Sequence, residues 1–131
     1  MPAQILVVDD EPSVLAVVAR ALRENGHDVI TVSNGQVAYD VAMNQAIDVV
    51  VTNNSTRGLT GTDLIAALRT LFPNLPVLHL HDYPNTTQPN FRLPDDIPTL
   101  LKPFDLNGLK AAVRLLLGPL TPSQSAPLTN F

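Results

Sequence analysis

Residues 4–32 read QILVVDDEPSVLAVVARALRENGHDVITV, and this stretch decides the fold. Gln4–Val8 (QILVV) is a short run apolar on both faces, the pattern of a central strand in a parallel sheet. Val14, Val18, Ala21 and Leu22 follow at helical spacing, with Pro12 near the helix start and Gly26 beyond its end. Asp28–Val32 (DVITV) is a second strand. A strand, a helix and a strand in immediate succession form a βαβ unit, whose strands run parallel.

The same alternation continues on the C-terminal side. Ser33 with Gln36 three residues later predicts a capping box that opens a helix through about Asn44, with Asn34-Gly35 read as a turn. Ile47–Thr52 (IDVVVT) is a third strand, with Asp48 at its start either solvated or bonded to backbone. Thr62–Phe72 carries Leu64, Ile65, Leu68 and Leu71, an amphipathic helix stopped by Pro73, and Asp63 suits its N-terminal dipole. Pro76–Leu80 and the short Thr99–Leu101 are the fourth and fifth strands. Asp105–Leu117 is a last helix, with Leu106, Leu109, Val113, Leu116 and Leu117 on one side. Strict β-α alternation with short connections implies an α/β fold, a parallel sheet between layers of helices.

One crossover helix is missing from this pattern. Seven of the 12 prolines fall between Pro73 and Pro103. Pro84, Pro89 and Pro94 recur at five-residue intervals between the fourth and fifth strands. An interior proline costs a helix about 3 kcal/mol, so no regular helix of normal length is expected there. The tail, GPLTPSQSAPLTNF, is polar and Pro/Ser-rich. We divide the chain into a domain over residues 1–118 and a tail or linker stub over 119–131.

Composition excludes several classes of function. The chain has 131 residues and a net charge of −4, with 8 Lys plus Arg against 12 Asp plus Glu. That balance argues against unaided nucleic-acid binding. Without cysteine there is neither a disulfide framework nor a thiolate zinc site, which fits a cytoplasmic protein. No apolar run approaches the roughly 18 residues of a membrane span. Polar groups nevertheless gather at one place. Asp9, Asp10 and Glu11 end strand one, Asn53 and Asn54 strand three, His81 and Asp82 strand four, and Lys102 strand five. In an open α/β sheet, ligands bind at that carboxyl edge.

The motifs at this edge resemble those of response-regulator receiver domains. VVDDEP (Val7–Pro12) resembles the family's acidic pair. IDVVVTNNSTRGLTG (Ile47–Gly61) resembles its third strand and following loop, with Gly58 and Gly61, and LLKPF (Leu100–Phe104) its Lys-Pro end of strand five. The match covers about residues 4–117. It implies a three-layer, flavodoxin-like fold with strand order 2-1-3-4-5. It also implies a place in two-component signalling, where a receiver takes a phosphoryl group from a histidine kinase onto an aspartate ending strand three. In the family the acidic pair holds Mg²⁺, the lysine contacts the phosphoryl group, and a Ser/Thr ending strand four reports it to an aromatic residue in strand five.

Carried over by residue, Asp9 and Asp10 match the acidic pair and Lys102 the lysine. Asn53 stands at the acceptor position, His81 at the Ser/Thr position, Thr99 at the aromatic position, and Arg57 replaces a proline. An aspartyl phosphate needs a carboxylate nucleophile, which an amide does not replace. Mg²⁺ also loses a hard anionic ligand, so Asp9 and Asp10 make a weakened metal site and no cofactor is required. His81 could fill the phosphoryl position or pair with Asp9 or Asp10. The resulting expectation is a pseudo-receiver, not an enzyme, that acts independently of phosphorylation through a protein partner: a histidine kinase, another regulator or an output domain. The family's docking face includes the fourth helix, so the partner is expected on another face or on the exposed loop.

The alternative is a relic phosphate pocket of Asp9, Asp10, His81 and Lys102 that binds a small ligand or senses pH. His79 and His81 share one strand face, a spacing open to a metal. The bland reading places them on a part of the strand left uncovered by the missing helix.

Overall fold

The computed structural model describes residues 3–54, 58–81, 93–102 and 104–118. In chain order these form β1 (Gln4–Val8), α1 (Pro12–Glu24), β2 (Asp28–Val32), α2 (Gly35–Asn44), β3 (Val49–Asn53), α3 (Gly61–Leu71), β4 (Val77–His81), β5 (Thr99–Leu101) and α4 (Leu106–Leu117). The strands make one five-stranded sheet in the order β2-β1-β3-β4-β5, and each neighbouring pair is parallel. This is the flavodoxin-like strand order that the resemblance implies.

Period-two alternation along the central strands divides the core into two layers. Ile5, Val7, Val49, Val51, Leu78 and Leu80 face α1 and α4, where they meet Val18, Leu22, Leu109 and Val113. Leu6, Val8, Val50 and Val77 face the other way and meet Ala38 and Ala42 of α2 and Leu64, Ile65 and Leu68 of α3. With both faces covered, β1 and β3 tolerate almost no polar residue until their carboxyl ends. The polar groups are thereby confined to one edge.

Local chemistry shifts several element boundaries from their expected places. The cap of α2 is Asn34, not Ser33: Asn34 Oδ1 accepts from the backbone N–H groups of Gln36 (2.7 Å) and Val37 (3.2 Å). Both residue types cap helices well, but Asn34-Gly35 is not a turn: Asn34 is extended, with φ −139° and ψ 129°, and Gly35 opens the helix. The third strand begins at Val49 instead of Ile47. Asp48 Oδ2 takes the Gln4 N–H at 2.7 Å, which makes the expected backbone bond, and the Asp48 N–H donates to the Gln4 carbonyl at 2.8 Å just ahead of the strand. At its other end β3 runs through Asn53, and β4 extends to His81. Helix α3 is capped by Thr60 and carries Asp63 in its first turn.

Residues 82–92, including Pro84 and Pro89, lie outside the described residues, as do Arg57, Asp82 and the tail over 119–131. The expectation of a Pro-rich loop in place of a fourth crossover helix rests largely on that first segment. Among the described residues there are four helices and none between β4 and β5. Residues 93–98 make a turn, closed by the Ile97 N–H on the Pro94 carbonyl at 3.2 Å. Leu93 and Ile97 fill the α2/α3 layer of the core. Arg69 of α3 holds the turn in place: its Nε donates to the Leu75 carbonyl at 2.7 Å, and its terminal nitrogens form a fork on Asp96 at 3.2 and 2.8 Å.

Candidate functional site

The strand order reverses between β1 and β3, so the crevice beyond their carboxyl ends is where this topology places a site. Asp9 directly follows β1 and Asn53 ends β3; both are buried, at 0% and 1% exposure. The loop after β3 folds back at Gly58, whose φ of 76° favours glycine. At Gly61 a Cβ would collide with the Asn53 carbonyl, so only glycine lets α3 start this close to the site. Asn54 completes the join. Its carbonyl accepts from the Gly61 N–H at 2.9 Å and its Oδ1 from the Thr62 N–H at 3.2 Å. Two otherwise orphaned donors of the helix are satisfied in this way.

Lys102 arrives from the far side of the sheet. Its backbone N–H donates to the His81 carbonyl at 2.8 Å, which sets the residue just beyond β5 against the end of β4. The side chain reaches back across the edge, and Nζ sits 2.8 Å from Asp9 Oδ2. Glu11 Oε1 lies 3.7 Å from the same ammonium. The other Asp9 oxygen, Oδ1, accepts from the Glu11 N–H at 3.0 Å and lies 3.5 Å from Asn53 Nδ2, at the outer limit of a hydrogen bond. The orientation of the Asn53 amide follows from its other end. Asn53 Oδ1 is 2.8 Å from the Asn54 backbone nitrogen, which can only donate. The nitrogen of the amide is therefore the atom turned toward Asp9.

Asp9, Asn53 and Lys102 thus meet as expected, joined by Glu11 and supported by Asn54. Asp10 does not share this environment: it is exposed while Asp9 is buried. His81 is half-buried, and the partner found for Asp9 is Lys102. Thr99 is exposed at the start of β5, in register with His79. The expectation that the missing helix leaves His79 uncovered is corrected, because the residue is 0% exposed. It sits in the middle of a strand paired on both sides, and its ring centroid lies 5.7 Å from that of His81. Burial penalises the imidazolium and pushes the His79 pKa down to about 4, with the adjacent His81 adding to the shift. No pattern in the sequence distinguishes a buried histidine here from a tolerated one. Asn54 likewise carries no signal of its own, since its role depends on the return of α3.

The donor set does not fit the Mg²⁺ that the resemblance implies. Asn53 offers no anionic oxygen, and its amide oxygen is engaged by Asn54. The buried Asp9 carboxylate is held by an ammonium, a backbone N–H and an amide nitrogen. Among the described residues no group of three or more His, Cys, Asp or Glu could hold a metal. At His79 and His81 no third ligand is found among the described residues, and Asp82 lies outside them.

Comparison with known proteins agrees with this architecture. Residues 5–114 match the family model "Response regulator receiver domain". The chain is 40% identical over 79 residues to the probable transcriptional regulatory protein TcrX of Mycobacterium tuberculosis, covering 60% of this chain and 34% of that protein. It is 39% identical over 116 residues to the transcriptional regulatory protein TcrA of the same organism, covering 86% and 45%. It therefore spans less than half the length of these two curated relatives. Among solved structures, a response regulator receiver protein from Sinorhizobium medicae superposes with a TM-score of 0.80 at 29% identity, over 90% of this chain and 96% of that one. With the strand order, the acidic carboxyl edge and the Lys102–Asp9 pair on that edge, these matches show that the chain belongs to the response regulator receiver domain family.

Proposed function

We propose that this receiver domain of two-component signalling works without phosphorylation, as an interaction module. The observation that carries the reading is Asn53. In the family an aspartate at this position attacks the phosphoryl group. Here an amide, a poor nucleophile, stands there with its nitrogen turned into the pocket. Asp9 is no substitute, since it is buried and paired with Lys102. The module is not an enzyme on this reading and requires no cofactor. It acts through contact with a histidine kinase, another regulator or an output domain. The relatives are transcriptional regulatory proteins, which favours a transcriptional output. With a net charge of −4 the chain does not itself bind nucleic acid. No described helix is long and apolar enough to cross a membrane, and we place the module in the cytoplasm with the rest of its signalling class.

A pocket that binds small anions finds less support. The Lys102 ammonium already faces two carboxylates, at 2.8 and 3.7 Å, which an incoming anion must displace. The deciding experiment is incubation with acetyl phosphate and Mg²⁺ followed by intact-mass measurement. The expected spectrum holds the unmodified chain alone. One stoichiometric phosphoryl adduct refutes the proposal.

A further inference from the structure

The charge balance of the pocket differs from what a carboxylate at position 53 would create. A buried carboxylate needs a compensating charge and donors for its oxygens. Asp9 has both within the chain: Lys102 Nζ on Oδ2, and the Glu11 N–H and Asn53 amide on Oδ1. Among the buried groups Asp9 and Lys102 cancel and Asn53 adds no charge, while the Glu11 carboxylate, 3.7 Å from the ammonium, is exposed to solvent and screened. A carboxylate at 53 would leave this buried cluster one negative charge in excess, which is what invites a divalent cation. In its absence, a cation approaching Asp9 meets the Lys102 ammonium and a polarised N–H, both repulsive. The Asn53 amide is also not free to turn its oxygen inward. That oxygen is taken by the Asn54 N–H, and Asn54 is pinned by Gly61 and Thr62 at the start of α3.

We propose that this pocket is a built-in, cation-independent lock, in which Lys102 and the Asn53 amide take the place of the metal on Asp9 and hold the ends of β1, β3 and β5 together. Asn54 is the positioning residue of the lock, since its backbone N–H sets the direction of the Asn53 amide. The proposal deepens the phosphorylation-independent reading and rests on the same Asn53. It says more, however: the site does not take up Mg²⁺ at all, and its geometry is the same with or without the ion.

The test uses Mn²⁺ as a paramagnetic probe on the full chain labelled with ¹⁵N. In the natural protein, millimolar Mn²⁺ is expected to leave the amide signals of Asp9, Asn53 and Lys102 no more broadened than those of other acidic surface segments. Asn53→Asp is expected to show saturable broadening centred on these residues, reversed by Mg²⁺, with binding tighter by about tenfold or more from the added charge. Lys102→Met carries the same expectation from the other side, because it removes the competing cation, and serves if Asn53→Asp fails to fold. Saturable, Mg²⁺-reversible broadening of the pocket in the natural protein overturns the lock. So does a failure of folded variants to bind more tightly than the natural chain. The two readings separate cleanly. Metal uptake without a phosphoryl adduct removes the lock and leaves phosphorylation independence standing, whereas an adduct removes the latter.

Discussion

His79 shows how much one buried side chain ties stability to pH. The imidazole lies at the centre of β4 with no exposed surface, and its pKa falls from 6.5 to about 4. The folded chain therefore holds His79 neutral while the unfolded chain protonates it below pH 6.5. Stability is fully present above 6.5, declines as the pH falls toward 4, and levels off below that. A shift of this size corresponds to at most about 3 kcal/mol. His27, whose pKa is also lowered by burial, acts in the same direction. Urea unfolding at a series of pH values should show this decline, and His79→Leu should flatten most of it. A natural chain as stable at pH 4.5 as at pH 7.5 would contradict the assignment. Position 79 also marks a limit of sequence reading. Alternation places His79 on a sheet face but says nothing of how deeply that face is covered.

Among the elements, the turn at residues 93–98 supplies side chains to the core layer of α2 and α3 just ahead of β5. Ile97 is 7% exposed in the layer shared with α2 and α3, and Arg69 ties its flank to both Leu75 and Asp96. Ile97→Ala should cost about 2 kcal/mol or more through the cavity it leaves. Arg69→Ala should cost about 1–2 kcal/mol, mainly through the Leu75 carbonyl left without its donor. Asp96→Asn should cost less than either, because that partner faces solvent. Thermal unfolding of the three variants gives the order, and an Asp96→Asn loss as large as that of Ile97→Ala would overturn it. The sequence makes the prolines between β4 and β5 visible, but not the packing of the turn that leads into β5. Ile97 and Arg69 are 28 residues apart in the chain. Strands β1, β2 and β5 are legible because turn residues punctuate their apolar runs. In β3, Ile47 continues the apolar run, yet the strand begins only at Val49, after Asp48 has bonded both the N–H and the carbonyl of Gln4. At the site, the convergence of Asp9, Asn53 and Lys102 follows from strand order. Which of Asp9 and Asp10 goes inward does not, because consecutive residues at a strand end take opposite directions.

In the whole molecule, stability is distributed unevenly over the sheet, and the pocket spans the gradient. β1, β3 and most of β4 are buried, whereas β5 is a three-residue edge strand with exposed Thr99 and Leu101. Amides of β1 and β3 should exchange with solvent only on global unfolding, while those of β5 open locally at lower free energy. The Lys102–Asp9 pair ties this edge to the centre, because its cation is carried just beyond β5 and its anion just beyond β1. Lys102→Met leaves a fully buried carboxylate without its counter-charge, a change that typically costs 3–5 kcal/mol, on the order of a third or more of a small domain's stability. Two effects should then be separable by native-state hydrogen exchange. The global loss lowers protection in β1 and β3 together. The loss of the tether lowers the local opening energy of Leu100–Lys102 beyond its value in the natural chain. Adding Asp9→Asn to Lys102→Met removes the stranded charge, so protection in β1 and β3 should largely recover while β5 remains loose. Recovery of β5 in the double variant would mean that backbone pairing with β4 holds the edge, and that the ion pair contributes only to the stability of the centre.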